Sequence, residues 1–163
     1  MTTLRSLQRL LPAALMATAM TACSQGQGLP PDKATAQLSG YNHTPDYIHE
    51  FYVDGAWGGN VFAYKGGGKF VCCLVYPRQW REGLTAKVRW STTSSDPQAT
   101  GAAAESTWHE LVVPIEPYPE PGTTLNVHFL PNHQVRLIVF SGSDLAPGYP
   151  GPRLPPKPKD FKW

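Results

Sequence analysis

Five histidines and three cysteines are the side chains of this 163-residue sequence best suited to acid–base, metal or redox chemistry. His43 and His49 lie near Asp46 and Glu50, His109 stands alone, and His128 and His133 are close in sequence. Imidazole beside carboxylate can act as a general base or hold a divalent metal. A metal-dependent or hydrolytic reading would therefore use His43 and His128, with Asp46 or His133. The spacing gives it little support. No His-Glu-x-x-His pattern occurs, and His128 and His133 lie across a predicted turn, not on one helix face. There is no Gly-x-Ser-x-Gly elbow, and Gly142-Ser143-Asp144 is an ordinary turn. Gly66-Gly67-Gly68 before Lys69 lacks the spacing of a phosphate-binding loop. The expectation is a non-enzymatic protein without a cofactor or metal.

Cys72 and Cys73 are adjacent. On a regular strand neighbouring side chains point to opposite faces, so a disulfide between them needs a local distortion. A vicinal disulfide, two unpaired thiols, and metal or intermolecular bonding are the three readings. Zinc would require further ligands at finger-like spacing.

Cys23 follows Arg5, Arg9, an apolar stretch over residues 10–20, and the small residues Thr21 and Ala22. These are the parts of a secretory signal. The stretch is too short to span a bilayer core of roughly 30 Å, which takes about 20 helical residues. A cut before a cysteine in the order Met20-Thr21-Ala22-Cys23 resembles the lipobox of bacterial lipoproteins, in which the cysteine is acylated. A general secretory signal cut near the same point is the other reading. Ser24, not Asp, follows the cysteine, and by the same resemblance this points to the outer membrane, facing the periplasm.

The cut would remove two of the fourteen basic residues, leaving twelve against twelve acidic ones. The slight basicity of the chain belongs to the leader, which leaves a nucleic-acid partner unsupported. All five Trp, seven Tyr and six Phe residues follow Cys23, ample material for one core. The expected organisation is a signal at 1–22, a flexible tether at 23–36, one domain at 37–148 and a Pro-rich tail at 149–163.

The elements that must position these residues read as strands. Leu84, Ala86, Val88 and Trp90 alternate with Thr85, Lys87, Arg89 and Ser91, the period-two pattern of a strand with one dry face. Residues 125–129 and 135–139 alternate likewise around Pro131-Asn132-His133, predicting a hairpin. Residues 47–53, 60–64, 69–76 and 108–115 are further strands, with Asp54-Gly55 and Gly58-Gly59 as turns between the first two. The prolines from Pro114 onward confine 108–115 to an edge or loop. The nearest thing to a helix is 98–105. Six to eight short strands with Gly and Pro punctuation predict an all-β fold, an antiparallel sandwich of immunoglobulin-like or similar type.

Trp80 sits between Arg78 and Arg81, and Trp and Arg are the residues that most often anchor interfaces. It is a candidate contact, or a cap on the core. Taken together, Tyr41-Asn42-His43-Thr44, Gly58-Gly59, Cys72-Cys73, Pro77 with Trp80 and Gly83, and Val127-His128-Phe129-Leu130-Pro131 resemble a bacterial lipoprotein family catalogued as domain of unknown function 3304. The resemblance runs over residues 40–149. It implies that Tyr41, Asn42, His43, Cys72, Cys73, Trp80 and His128 are motif positions. Some members look like lipoprotein partners of type VI secretion lipase effectors, which implies an immunity role with a protein partner. An envelope scaffold that touches peptidoglycan or polysaccharide through Trp57, Trp80 or Tyr149 is a further reading.

Overall fold

The computed structural model describes residues 28–161. The predicted leader and the predicted acylation site, Cys23, lie outside the described residues. Eight strands run β1 (Lys33–Asn42), β2 (Tyr47–Val53), β3 (Ala56–Val61), β4 (Val71–Pro77), β5 (Thr85–Thr93), β6 (Thr107–Pro114), β7 (Thr124–Leu130) and β8 (Gln134–Phe140). They form two four-stranded sheets, in the orders β4-β1-β7-β8 and β3-β2-β5-β6. The fold is an all-β sandwich.

Alternation builds the core. Ala86, Val88 and Trp90 of β5 point inward, as do Phe51 and Val53 of β2 and Leu125, Val127 and Phe129 of β7. Rings from the two sheets meet between them: Phe51 packs edge-on to Phe129 at 5.3 Å, and Trp90 lies 5.6 Å from Phe129. Each such side chain contributes about 1.5–3 kcal/mol by leaving water. The hairpin of β7 and β8 pairs as its alternation predicts, from Thr124 opposite Phe140 to Leu130 opposite Gln134. β6 is an edge strand, as its terminal prolines require.

The structure corrects three expectations and adds one parallel strand pair to the predicted sandwich. The first strand begins at Lys33, with Ala34 and Ala36 buried, so the tether is shorter than predicted. β1 pairs with β7 in parallel, from Gln37 opposite Thr124 to Asn42 opposite Phe129, while the other strand-to-strand pairs are antiparallel. Gly58 and Gly59 lie within β3, not in a turn. A Cβ on Gly58 would lie 2.0 Å from the Phe51 ring, and Gly59 has φ +95, so both positions require glycine. Finally, the start of the tail is packed: Tyr149 is buried, and Gly151 sits against Ile138 and the Tyr149 ring. Phe161, near the chain's end, meets the Tyr64 ring edge-on at 5.2 Å. Residues 98–105 hold a single 3-10 turn, Gly101–Ala103.

Candidate functional site

Each sheet has an inner face in the core and an outer face. On β4-β1-β7-β8, register places Tyr41, His128 and Arg136 in one row across the outer face. This row is covered. The Tyr41 ring stacks on His128 with centroids 4.5 Å apart, and its hydroxyl accepts a hydrogen bond from the Asp144 backbone N–H at 3.1 Å. Gly66 presses on the Tyr41 backbone so closely that a Cβ there would lie 2.5 Å from the Tyr41 Cα. His128 Nδ1 and His43 Nε2 are 2.9 Å apart, and His128 Nε2 bonds to the Tyr149 hydroxyl. Arg136 makes a twofold bond to Glu116, at 2.6 and 2.9 Å.

A neutral His128 carries one ring proton, so two arrangements satisfy the chain. Either His128 Nδ1–H donates to His43 and Tyr149 O–H donates to Nε2, or His43 Nε2–H donates to Nδ1 and His128 Nε2–H donates to the Tyr149 oxygen. Desolvation lowers the His128 pKa to about 3, with His43 and Arg136 adding repulsion. His43 is lowered by burial too, against the opposing pull of Asp144. Burial raises the Tyr149 phenol. These are neutral, mutually satisfied groups with His128 fully enclosed. They can hold a covering segment to a sheet; no substrate reaches them in this conformation.

Asn42 is explained in the same way. Its Oδ1 accepts from the Thr44 backbone N–H at 2.9 Å and the Thr44 hydroxyl at 2.7 Å, while its Nδ2 donates to the Asp46 carbonyl at 2.7 Å. One side chain thus shapes the turn from β1 into β2. The other histidines sort elsewhere. His109 lies between Trp90 and His133, at ring distances of 5.0 and 4.4 Å, and its Nε2 is 2.9 Å from the Thr92 hydroxyl. The structure therefore brings His43 to His128 and His109 to His133, but does not join the two pairs. His49 is exposed, with Tyr47 against it. Among the described residues, no group of three or more His, Cys, Asp or Glu could hold a metal ion.

Cys72 and Cys73 are joined by a disulfide across a cis peptide bond, exposed on β4. The pairing of β4 with β1 shifts register beside them, between Ala36 and Leu38. Trp80 is half-buried against the core, and its Nε1–H donates to the Ile115 carbonyl at 2.9 Å. It pins the loop between β4 and β5, leaving Arg78 and Arg81 at the surface. Of the aromatics considered for a scaffold, only Trp57 is well exposed.

The outer face of β3-β2-β5-β6 differs. Register sets Trp57, Tyr52, Arg89 and Glu110 side by side across all four strands. Trp108 lies beside this row, with the Arg89 guanidinium 4.0 Å from its ring centre. Trp57 is 53% and Trp108 43% exposed. The polar groups are held by their neighbours. The Tyr52 hydroxyl donates to Glu50 at 2.5 Å, Lys87 pairs with Glu110 at 3.3 Å, and Asp54 accepts the Lys87 backbone N–H at 2.8 Å. A groove of about 490 Å³ follows the row, lined by Tyr52, Asp54, Lys87, Arg89 and Glu110. Aromatic rings with a stacked guanidinium are the composition of a binding hot spot. Sequence reasoning missed Tyr52, Arg89, Trp108 and Glu110. The alternation of β5 puts Lys87 and Arg89 on its wet face, but the register that aligns them with Trp57 and Tyr52 is not local information.

No curated protein and no solved structure matches the chain. A family model described as a protein of unknown function, DUF3304, matches residues 41–137. That span runs from Tyr41 to Leu137 and contains His43 and His128, the paired cysteines, Trp80 and the whole exposed row, but not Tyr149. The chain belongs to the DUF3304 family.

Proposed function

We propose that this chain is a lipid-anchored binding protein of the bacterial envelope, held through Cys23 and facing the periplasm, that acts by occluding a protein partner. The reading favoured is an immunity protein that neutralises an envelope-directed effector such as a type VI secretion lipase. One observation carries the binding role: Trp57, Tyr52, Arg89 and Trp108 form a solvent-facing cluster on one sheet face, where Tyr52 bonds to Glu50 and Arg89 lies over the Trp108 ring. A stoichiometric inhibitor needs such a surface and no reactive constellation. The anchor rests on the lipobox resemblance of Cys23, and the immunity role on the family resemblance.

The test is genetic and biochemical together. Deleting the gene should sensitise cells to the effector encoded beside it, and purified protein should inhibit that effector at one-to-one stoichiometry. Undiminished resistance in the deletion strain, with no complex formed in vitro, would reject the proposal. Acylation is read separately, as the mass of the peptide that begins at Cys23.

A further inference from the structure

The loop between β4 and β5 carries two arginines that the fold itself does not use. Trp80 is the loop's anchor, through its bond to the Ile115 carbonyl and its packing on the core. Gly83, at φ +76, turns the chain back toward β5. Arg78 and Arg81, on either side of Trp80, are left facing solvent. Among the described residues neither forms an ion pair.

Their position is set by β1. Lys33, its first residue, is the register partner of Pro77, and the Arg78 backbone N–H donates to the Asp32 carbonyl at 2.7 Å. Lys33, Arg78 and Arg81 consequently line one open cleft of about 580 Å³, with Pro31, Asp32, Pro77 and Gln79. The acids at hand are Asp32, 3.8 Å from the Lys33 ammonium, and Glu82, next to Arg81 in the chain. Three cations thus face two carboxylates, one of them already engaged by Lys33. Two arginines lining one cleft suit a phosphate, whose oxygens accept paired N–H donors.

The tether decides where that phosphate comes from. Lys33 is ten positions after Cys23, a reach of at most about 35 Å even when fully extended. The end of the sandwich that carries this cleft is the one where the chain enters the fold, and Leu29, just before it, is exposed. Resting on the reading of Cys23 as acylated, we infer that the cleft lined by Lys33, Arg78 and Arg81 receives the phosphate of an anionic phospholipid in the membrane that holds the anchor. The contact sets the sandwich upright on that end. The β1–β2 turn and the turn before β8 then point away from the bilayer, and the Trp57–Trp108 face stands along its side, open to a partner.

The experiment uses the full acylated protein reconstituted into phosphatidylcholine vesicles with or without phosphatidylglycerol. Phenylglyoxal reacts with accessible guanidiniums, and peptide mass spectrometry reads each arginine. Arg78 and Arg81 should be modified about fivefold more slowly when phosphatidylglycerol is present, with Arg89 unchanged as internal control, and molar salt should abolish the difference. Equal rates in the two vesicles, on protein whose Cys23 peptide carries its acyl mass, would overturn the headgroup contact and leave the anchor standing. A Cys23 peptide without acyl mass would overturn both. Millimolar inorganic phosphate protecting the two arginines equally well in pure phosphatidylcholine would reassign the cleft to a soluble anion and overturn the lipid assignment.

Discussion

The two outer faces of the sandwich share an arrangement and differ in what lies over them. Each carries a row of aromatic and basic side chains in strand register: Tyr41, His128 and Arg136 on one sheet, Trp57, Tyr52 and Arg89 on the other. Over the first, the Gly66 loop and the segment from Asp144 to Gly151 are packed, and the Tyr41 hydroxyl and His128 Nε2 bond to that segment. The second is open, and its Tyr52 hydroxyl and Lys87 ammonium bond to Glu50 and Glu110 of the same face. Polar residues recognisable in sequence as candidates for chemistry can therefore be the fastening of a fold, while a binding surface is assembled from residues unremarkable one at a time.

The largest effect expected from breaking this contrast is on the covered face. His128→Leu removes the centre of the hydrogen-bond chain and leaves His43 and Tyr149 without their partner. It should cost about 4 kcal/mol in urea unfolding, because stranded buried polar groups carry their full desolvation penalty. Truncation ahead of Tyr149 should cost about 3 kcal/mol for the same reason, whereas truncation after Pro152 keeps that hydroxyl and should cost under about 1 kcal/mol.

Acid should act through the same group. The folded-state pKa of His128 is depressed to about 3, while an unfolded histidine titrates near 6.5. Between these values the unfolded chain binds a proton that the folded chain refuses. Stability is full above about pH 6.5 and declines as the pH falls toward 3, by a few kcal/mol over the whole window. Unfolding curves at stepped pH should show this decline in the wild type and a flatter one in His128→Leu. Smaller still is Trp80→Phe, which keeps most of the ring packing but loses the bond to Ile115. It should cost about 1 kcal/mol by thermal unfolding.

Much of the fold was legible because strand alternation is local. The hairpin from Thr124 to Phe140 and the strand ending near Thr93 follow from period two alone, and the edge position of β6 follows from its prolines. The first strand was only partly legible, because its early inward positions are Ala34 and Ala36, whose small side chains give almost no apolar signal. Gly58 and Gly59 read as a turn, since nothing in the sequence announces that the Phe51 ring needs their missing side chains. Tyr149 was hidden among Gly and Pro residues that look like an unstructured tail. The meeting of His43 with His128 spans 85 positions and depends on a parallel pairing of β1 with β7 that no local pattern specifies.

The central claim is that function resides on the open face, and the most direct measurement is the affinity of Trp57→Ala/Trp108→Ala for the proposed effector partner, taken beside its melting temperature. Both rings are substantially exposed, so the fold should stay within about 1 kcal/mol of wild type, while binding weakens by about 100-fold or more. An unchanged dissociation constant in a folded double variant would contradict the account.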